Sequence, residues 1–500
     1  MINKRQFFKN ASMNYSAFFF NVLITFILTP FVIGKLGDSY YGYWTIIVAF
    51  TSYFGFLDFG IRAGVGQYLT RYLSVKNYKK FNNVLSTSIF CLSFVMLVGI
   101  VFSFGLSTYY GIFFSELSDN AEFSFGLLLV GIAISIKFPF VVFQAVLHSC
   151  HRFDITSFVS IFCKIVNSIA IYYVVAGGWG IVGLAIVTFF TQVLEGILML
   201  VLAKLTVPRM EIGFSFQRET FREISNYGFF SFWSSVADQI SFYISPLIIG
   251  ASLGGVYVTY YSIAANLMPY LVSLVQAVTS PLMQIATSYD ENFQLFTFGT
   301  KYLFWLVCFV CVNIFISGES FLGRWVGYEY ISGNQYPSSG SVLKILVFGY
   351  MAFLSHSVGK QILFGKRKNK FLAYANTFCA VLVFSFAKIS IHEYGILGVS
   401  FGMSVSFFVV NVIILPWYSS KIIGLSLASY LLRSILPNLI IFFITVTIFS
   451  TFFVVKIDET TWSDVFFSCL ITSFIYLIIS VLFYGNDLRS WLTKRKDCAL

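Results

Sequence analysis

The chain has 500 residues, of which 58% are hydrophobic, 20% aromatic and only 11% charged, with a net charge of +11. A soluble domain carries about 25% charged residues, so charge cannot cover this surface and the solvent must be lipid. The basic excess does not call for a nucleic-acid partner, because Lys- and Arg-rich cytoplasmic loops of a membrane protein produce it equally well.

In chain order, Lys4, Arg5 and Lys9 precede an apolar run near 12–33. The run is too long for the core of a signal peptide and no small-residue cleavage site follows, so it reads as a retained first span. Windows of about 20 apolar residues then recur, predicting about fourteen membrane helices. The first six lie near 12–33, 42–60, 84–106, 123–147, 155–176 and 179–203. The next six lie near 226–250, 256–285, 299–321, 341–364, 371–391 and 394–418, and two more near 431–455 and 463–485. With the N-terminus in the cytoplasm, about 24 of the 32 Lys and Arg fall on the cytoplasmic side, which sets the orientation of the bundle. Both termini and the charged link Lys204–Glu223 are then expected in the cytoplasm.

Three phrases recur at nearly one period. "TPFVIGKLGDSYYGYW" is echoed by "SPLIIGASLGGVYVTYY", which places Pro30 against Pro246. "QAVLHSCHRF" at Gln144 matches "QILFGKRKNK" at Gln361, and "GIVG" at Gly180 matches "GILG" at Gly395. The duplicated unit therefore holds six spans. Six is even, so both copies enter the membrane from the same side and form a parallel repeat about an axis along the membrane normal. The expected architecture is an all-α integral membrane protein with two parallel six-helix lobes, 1–203 and 226–418. A cytoplasmic link, 204–225, joins them, and 419–500 adds two helices and a basic tail. Two such lobes around a cavity are an alternating-access plan.

The N-terminal "TPFVIGKLGDSYYGYW" and "SYFGFLDFGIRAGVGQYLTRYL" resemble the opening of the polysaccharide-transport family, the Wzx-type flippases of the multidrug, oligosaccharidyl-lipid and polysaccharide exporter superfamily. The matching features are Pro30, Leu36-Gly37, Tyr41-Gly42 and Leu57-Asp58-Phe59-Gly60, within about the first 80 residues. The resemblance implies a multi-pass protein of the bacterial cytoplasmic membrane, not an enzyme. Its implied activity is to flip a polyprenyl-diphosphate-linked oligosaccharide such as an O-antigen or capsule unit, beside a polymerase and glycosyltransferases. A monomer without cofactor is expected. A multidrug or cation extruder of the same superfamily is the nearest alternative, and a membrane glycan polymerase or glycosyltransferase is the alternative from another class. The longest external loops, near Ser107–Glu122 and Leu322–Gly340, are short for a catalytic domain and hold no acid/base constellation.

No Walker A phrase occurs, which excludes ATP as an energy source within the chain. "HSCH" at His148–His151 leaves a metal pair or plain packing open, and Cys308-x-x-Cys311 within an apolar run reads as packing. The informative residues are charges inside spans, where each costs roughly 2.5–3.5 kcal/mol on the insertion scale and should face protein or water. Lys137, Lys164, Glu195 and Asp238 all fall about 12–18 Å from cytoplasmic span ends, near the midplane. Lys137, beside Pro139, is expected to line a cavity and meet a diphosphate. Lys164 either joins it or pairs with Glu195. Glu195 and Asp238 are candidates for coupling, with a buried protonated carboxyl as the other reading of Asp238. Asp58 and Arg62 form either a gate or an interfacial pair. Lys344, Lys360 and Lys388 are expected to snorkel. Tyr53, Tyr243, Tyr260, Tyr261, Asn21, Asn266 and Gln239 could present stacking faces and amides to sugars, with Tyr243 and Asn266 the preferred pair.

Overall fold

The computed structural model describes residues 4–58, 61–117, 120–279, 293–366, 368–453 and 461–497. All regular structure among them is helical, with no strand. Lipid offers no partner for backbone polar groups, and a helix satisfies them within one segment. Twelve helical stretches among the described residues are long and apolar enough to cross a membrane. The longest, Asn369–Ile423, covers both expected spans near 371–391 and 394–418. It breaks at Gly395, whose φ of 56° and ψ of −139° suit glycine alone. The expected span near 42–60 is the helix Asp38–Ser52 running into a tighter turn, Tyr53–Asp58. The tally of about fourteen thus depends on how these interrupted segments are counted.

Contacts group the chain into two units, Met1–Thr259 and Tyr260–Leu500. The first unit contains α1 (Lys4–Leu36), α2 (Asp38–Ser52), α3 (Ile61–Ser74), α4 (Tyr78–Tyr109), α5 (Ala121–Ser149), α6 (Phe153–Ala176), α7 (Gly180–Thr206) and α8 (Arg218–Leu253). Its inner helix is α5, half buried along its apolar window against 17% for the outer α1 and α6. Tight crossing of α4 and α5 has a sequence cause. Each carries G-x-x-x-S, Gly99 with Ser103 and Gly131 with Ser135. Each glycine receives the serine of the other helix where a Cβ would stand, and each serine hydroxyl donates back to its own glycine carbonyl at 2.7 Å. Small residues give membrane helices the close approach that burial of apolar area supplies in water. The helix α8 packs on α2 and α3 within this unit. Gly42 meets Gly255 near one end and Gly64 meets the Ile224 backbone near the other.

The boundary between the units falls within α9 (Gly255–Ala265), which is followed in the second by α10 (Met268–Thr279), α11 (Phe293–Trp325), α12 (Ser339–Ser355), α13 (Ser357–Gly365) and α14 (Asn369–Phe408). After α14 come a π-turn at Val409–Ile414, α15 (Leu415–Ile423), α16 (Leu427–Tyr430), a second π-turn at Leu431–Ile435, α17 (Leu436–Phe452) and α18 (Trp462–Asp497). The last two helices are joined to α11 by a polar seam. Ser317 meets Ser468 at 2.8 Å, Ser473 donates to Asn313 at 3.3 Å, and Trp305 donates to Ser480 at 2.8 Å. Asn438 donates to the Lys301 carbonyl at 2.9 Å.

The recurring phrases share local backbone features. Gly37 and Gly254 each separate two helices, with φ/ψ of 77°/167° and 90°/174°. Pro30 and Pro246 each lie inside the preceding helix. Gly180 and Gly395 share a φ of 56°.

Candidate functional site

Three consecutive helices of the first unit bring charge to one depth. Lys137 lies twelve residues from the end of α5, Lys164 eleven from the start of α6 and Glu195 eleven from the end of α7. At 1.5 Å per residue, that is roughly 16–18 Å into an apolar layer about 30 Å thick. Pro139 interrupts the helix beside Lys137, freeing the Ser135 carbonyl, and the Gly131/Ser135 crossing fixes α5 just before the lysine.

Lys137 Nζ bonds Glu195 Oε2 at 2.8 Å, with the side chains 35% and 22% exposed. The sequence offered Lys164 as the partner of Glu195 and Lys137 as a cavity lysine. The structure instead joins Lys137 to Glu195, because α5 and α7 are the more closely packed pair. Lys164 is half-buried on α6 and has no carboxylate within 4 Å among the described residues. Two lysines and one glutamate leave one positive charge in excess. Around them, Asn167 donates to Thr191 at 3.1 Å, and Gln192, one turn from Glu195, buries its Oε1 without a hydrogen-bond partner among the described residues.

A second polar group lies where α8 meets the turn after α2. Tyr53 Oη and Gln239 Oε1 are both buried without a hydrogen-bond partner among the described residues. The Gln239 amide lies over Gly55, and Tyr243, 37% exposed, follows one turn later on α8. Asp238, half-buried on α8, is engaged in an interaction. Asn266 is exposed in the turn between α9 and α10 and is also engaged. Asp58 and Arg62, the gate candidates, lie outside the residues whose side chains are described.

Other expectations change. Lys344 pairs with Glu319 rather than standing alone at the interface. Lys360 places its ammonium 3.8 Å from the Phe353 ring centre, while Lys388 is exposed. His148 stacks on Phe153, with centroids 4.6 Å apart, and lies 3.4 Å from the Thr156 hydroxyl. Its role is thus packing, and no group of three or more metal-ligating side chains gathers among the described residues. Cys308 and Cys311 are fully buried in α11.

Sequence reasoning missed His356, which is fully buried in the second unit. It occupies the break between α12 and α13, with Nδ1 3.1 Å from the Tyr430 hydroxyl and Nε2 2.9 Å from Ser419. A histidine inside the span near 341–364 was the available signal, since intramembrane ionisable residues are rare.

The fold matches known transporters. The lipid II flippase MurJ in an inward closed conformation aligns over 96% of this chain and 99% of its own, with a TM-score of 0.69 at 15% identity. An inward-facing multidrug resistance MATE transporter aligns over 80% of this chain and 94% of its own, with a TM-score of 0.62 at 15% identity. By sequence, a putative O-antigen transporter of Shigella flexneri is 23% identical over 430 residues, 83% of this chain and 97% of the relative. The model of the polysaccharide biosynthesis protein family matches residues 12–297. The match spans more than half of the chain, which therefore belongs to the polysaccharide biosynthesis protein family.

Proposed function

We propose that this protein is a flippase that moves a polyprenyl-diphosphate-linked oligosaccharide across the bacterial cytoplasmic membrane by alternating access. The observation that carries the reading is the mid-depth cluster of Lys137, Lys164 and Glu195, with its single excess positive charge. Such a cluster attracts an anionic headgroup, and a compact, strongly hydrated ammonium holds phosphate without the bidentate grip of arginine. Glu195 keeps Lys137 positioned between substrates and yields it when a diphosphate arrives. The partnerless polar atoms of Gln192, Tyr53 and Gln239 suit sugar hydroxyls, and the Tyr243 ring suits a sugar face. Membership in the polysaccharide biosynthesis family and similarity to the Shigella protein support the same class of cargo. In this reading residues 1–203 and 226–418 are the moving lobes, both termini and the link face the cytoplasm, and Asp238, Asp58 and Arg62 serve coupling or gating. Carboxylates at 195 and 238 favour the cation-extruder reading, but the second lysine of the α5–α7 cluster, beyond the Lys137–Glu195 pair, opposes it.

The test is flipping of a short-chain polyprenyl-diphosphate sugar in proteoliposomes. Lys137→Arg should retain more flipping than Lys137→Ala at equal folded protein. Unchanged flipping by Lys137→Ala contradicts the assignment. Export of a lipophilic cation drug, with no movement of the lipid-linked sugar, supports the extruder instead. Reporter fusions at both termini and within the link test orientation, and an external signal at the link contradicts the six-plus-six plan.

A further inference from the structure

The segment 207–217, between α7 and α8, carries no regular secondary structure yet follows a defined path along α4. Val207 and Met210 are 6% and 0% exposed and plug the core formed with Phe81, Ala203 and Ile224. Asn82 holds the backbone from both sides, donating to the Arg209 carbonyl at 3.4 Å and accepting from the Glu211 N–H at 3.2 Å. Gly213 then presses on Ser86. Phe90 receives Phe214 and Phe216, with ring centroids 4.9 and 5.7 Å apart, and Phe216 contacts Phe221 at 5.6 Å. The chain is thus a strap that climbs α4 by about two helical turns.

Its outer face is apolar. Ile212, Phe214 and Phe216 are 51%, 66% and 49% exposed, and their alternate spacing puts them on one side of extended chain. The same surface continues along α4 as exposed Phe94, Leu97 and Val101, which face lipid in a membrane helix. Phe90 is six residues beyond Val84, where the polar start of α4 ends, hence about 9 Å into its apolar part. The N–H groups of residues 212–217 make no backbone hydrogen bonds among the described contacts. Unpaired amides exclude the hydrocarbon core, and three exposed apolar side chains disfavour bulk water. Both conditions meet only at the headgroup–acyl boundary. The surroundings at the polar end of the strap are basic. Lys76, Lys79, Lys80, Arg209, Arg218 and Arg222 are exposed there, against Glu211, Glu219 and Glu223.

We propose that the strap is an interfacial anchor whose occupant is an anionic phospholipid. Acyl chains lie on Ile212, Phe214 and Phe216, and the phosphate is drawn to the basic rim. This anchor is independent of the transported cargo. It turns the connection between the two copies from a free loop into an element held at fixed depth in one leaflet.

The experiment uses the full chain in nanodiscs, with Phe214→Trp read as a difference against the eight native tryptophans and Phe216→Trp as a second position. The expected added emission is blue and is quenched about twofold more by lipids brominated high in the acyl chain than by lipids brominated near the methyl end. Quenching by aqueous acrylamide alone overturns the anchor, as does stronger quenching near the methyl end. For the headgroup, lipid retained through purification is measured from discs of mixed phosphatidylglycerol and phosphatidylcholine. Selective retention of phosphatidylglycerol that falls about twofold or more in Lys79→Gln/Lys80→Gln supports the anionic rim. Equal retention of both lipids, or no change in the variant, overturns it.

Discussion

In the proposed six-plus-six plan, the two copies differ most in their mid-depth electrostatics. Counted with offsets of 217, 216 and 215 residues, the range spanned by the recurring phrases, Lys137, Lys164 and Glu195 correspond to Leu354, Ala380 and Val410. The first set is a charged group kept partly open, with Lys137 35% and Glu195 22% exposed. The second set is apolar, and the polar group near it is closed off. His356, Ser419 and Tyr430 are each at most 1% exposed and bonded to one another. Here the backbone departs from α-geometry, with π-turns at Val409–Ile414 and Leu431–Ile435. Such turns collect where a helix must accommodate an added constraint. In this plan the helix ends and glycine turns agree between the copies, because their geometry needs particular residues. The mid-depth positions, fixed by no such requirement, diverged into a charged site and a packed joint.

The comparison is broken most strongly at the charged pair. Lys137→Ala or Glu195→Ala should reduce flipping about tenfold or more and destabilise the protein by about 1–2 kcal/mol. This is less than the 3–5 kcal/mol of a fully buried pair because both groups are partly exposed. Urea or thermal unfolding in detergent reads the stability, and proteoliposome flipping reads the activity. The joint in the second copy should behave differently. His356→Ala orphans two buried hydroxyls and should cost about 2–4 kcal/mol, with flipping falling only in proportion to folded protein. A loss of flipping at full stability makes His356 a working residue and removes the asymmetry. Gly395→Ala comes next, because its backbone conformation is open essentially to glycine, and about 1–3 kcal/mol of strain should appear in thermal unfolding. Gly180→Ala, at the matching position with the same φ, should show a loss of similar size. The smallest effect is at the seam to the last helix, where Ser468→Ala should cost about 0.6 kcal/mol and leave flipping unchanged.

Much of this molecule was legible because lipid narrows the choices. Long apolar windows marked nearly every helix, and Pro30, Gly37, Gly180 and their partners marked the repeat, since turns and breaks need particular residues. The depth of Lys137, Lys164 and Glu195 also followed from counting along helices. Their pairing did not. Depth is a one-dimensional quantity, while choosing between Lys137 and Lys164 for Glu195 requires the rotation and separation of α5, α6 and α7. That geometry depends on the interlocked Gly99/Ser103 and Gly131/Ser135 contacts, visible as two short motifs but not as a matched pair. His356 was hidden because its partners, Ser419 and Tyr430, are 63 and 74 residues away and carry no charge pattern. The strap was read as a charged link because its basic residues dominate composition, whereas the alternate Ile212, Phe214 and Phe216 gain meaning only beside Phe90.

The central claim is that the charge in the first copy meets the diphosphate, rather than merely neutralising itself. The most direct measurement is the flipping rate of a short-chain polyprenyl-diphosphate sugar by Lys137→Ala/Glu195→Ala, compared with the wild type at matched amounts of folded protein. Removing both partners leaves no orphaned charge, so stability should return to within about 1 kcal/mol of the wild type. The account predicts that flipping nevertheless stays about tenfold or more below the wild-type rate. A double variant that is stable and flips at the wild-type rate shows that the pair is only structural, and contradicts the account.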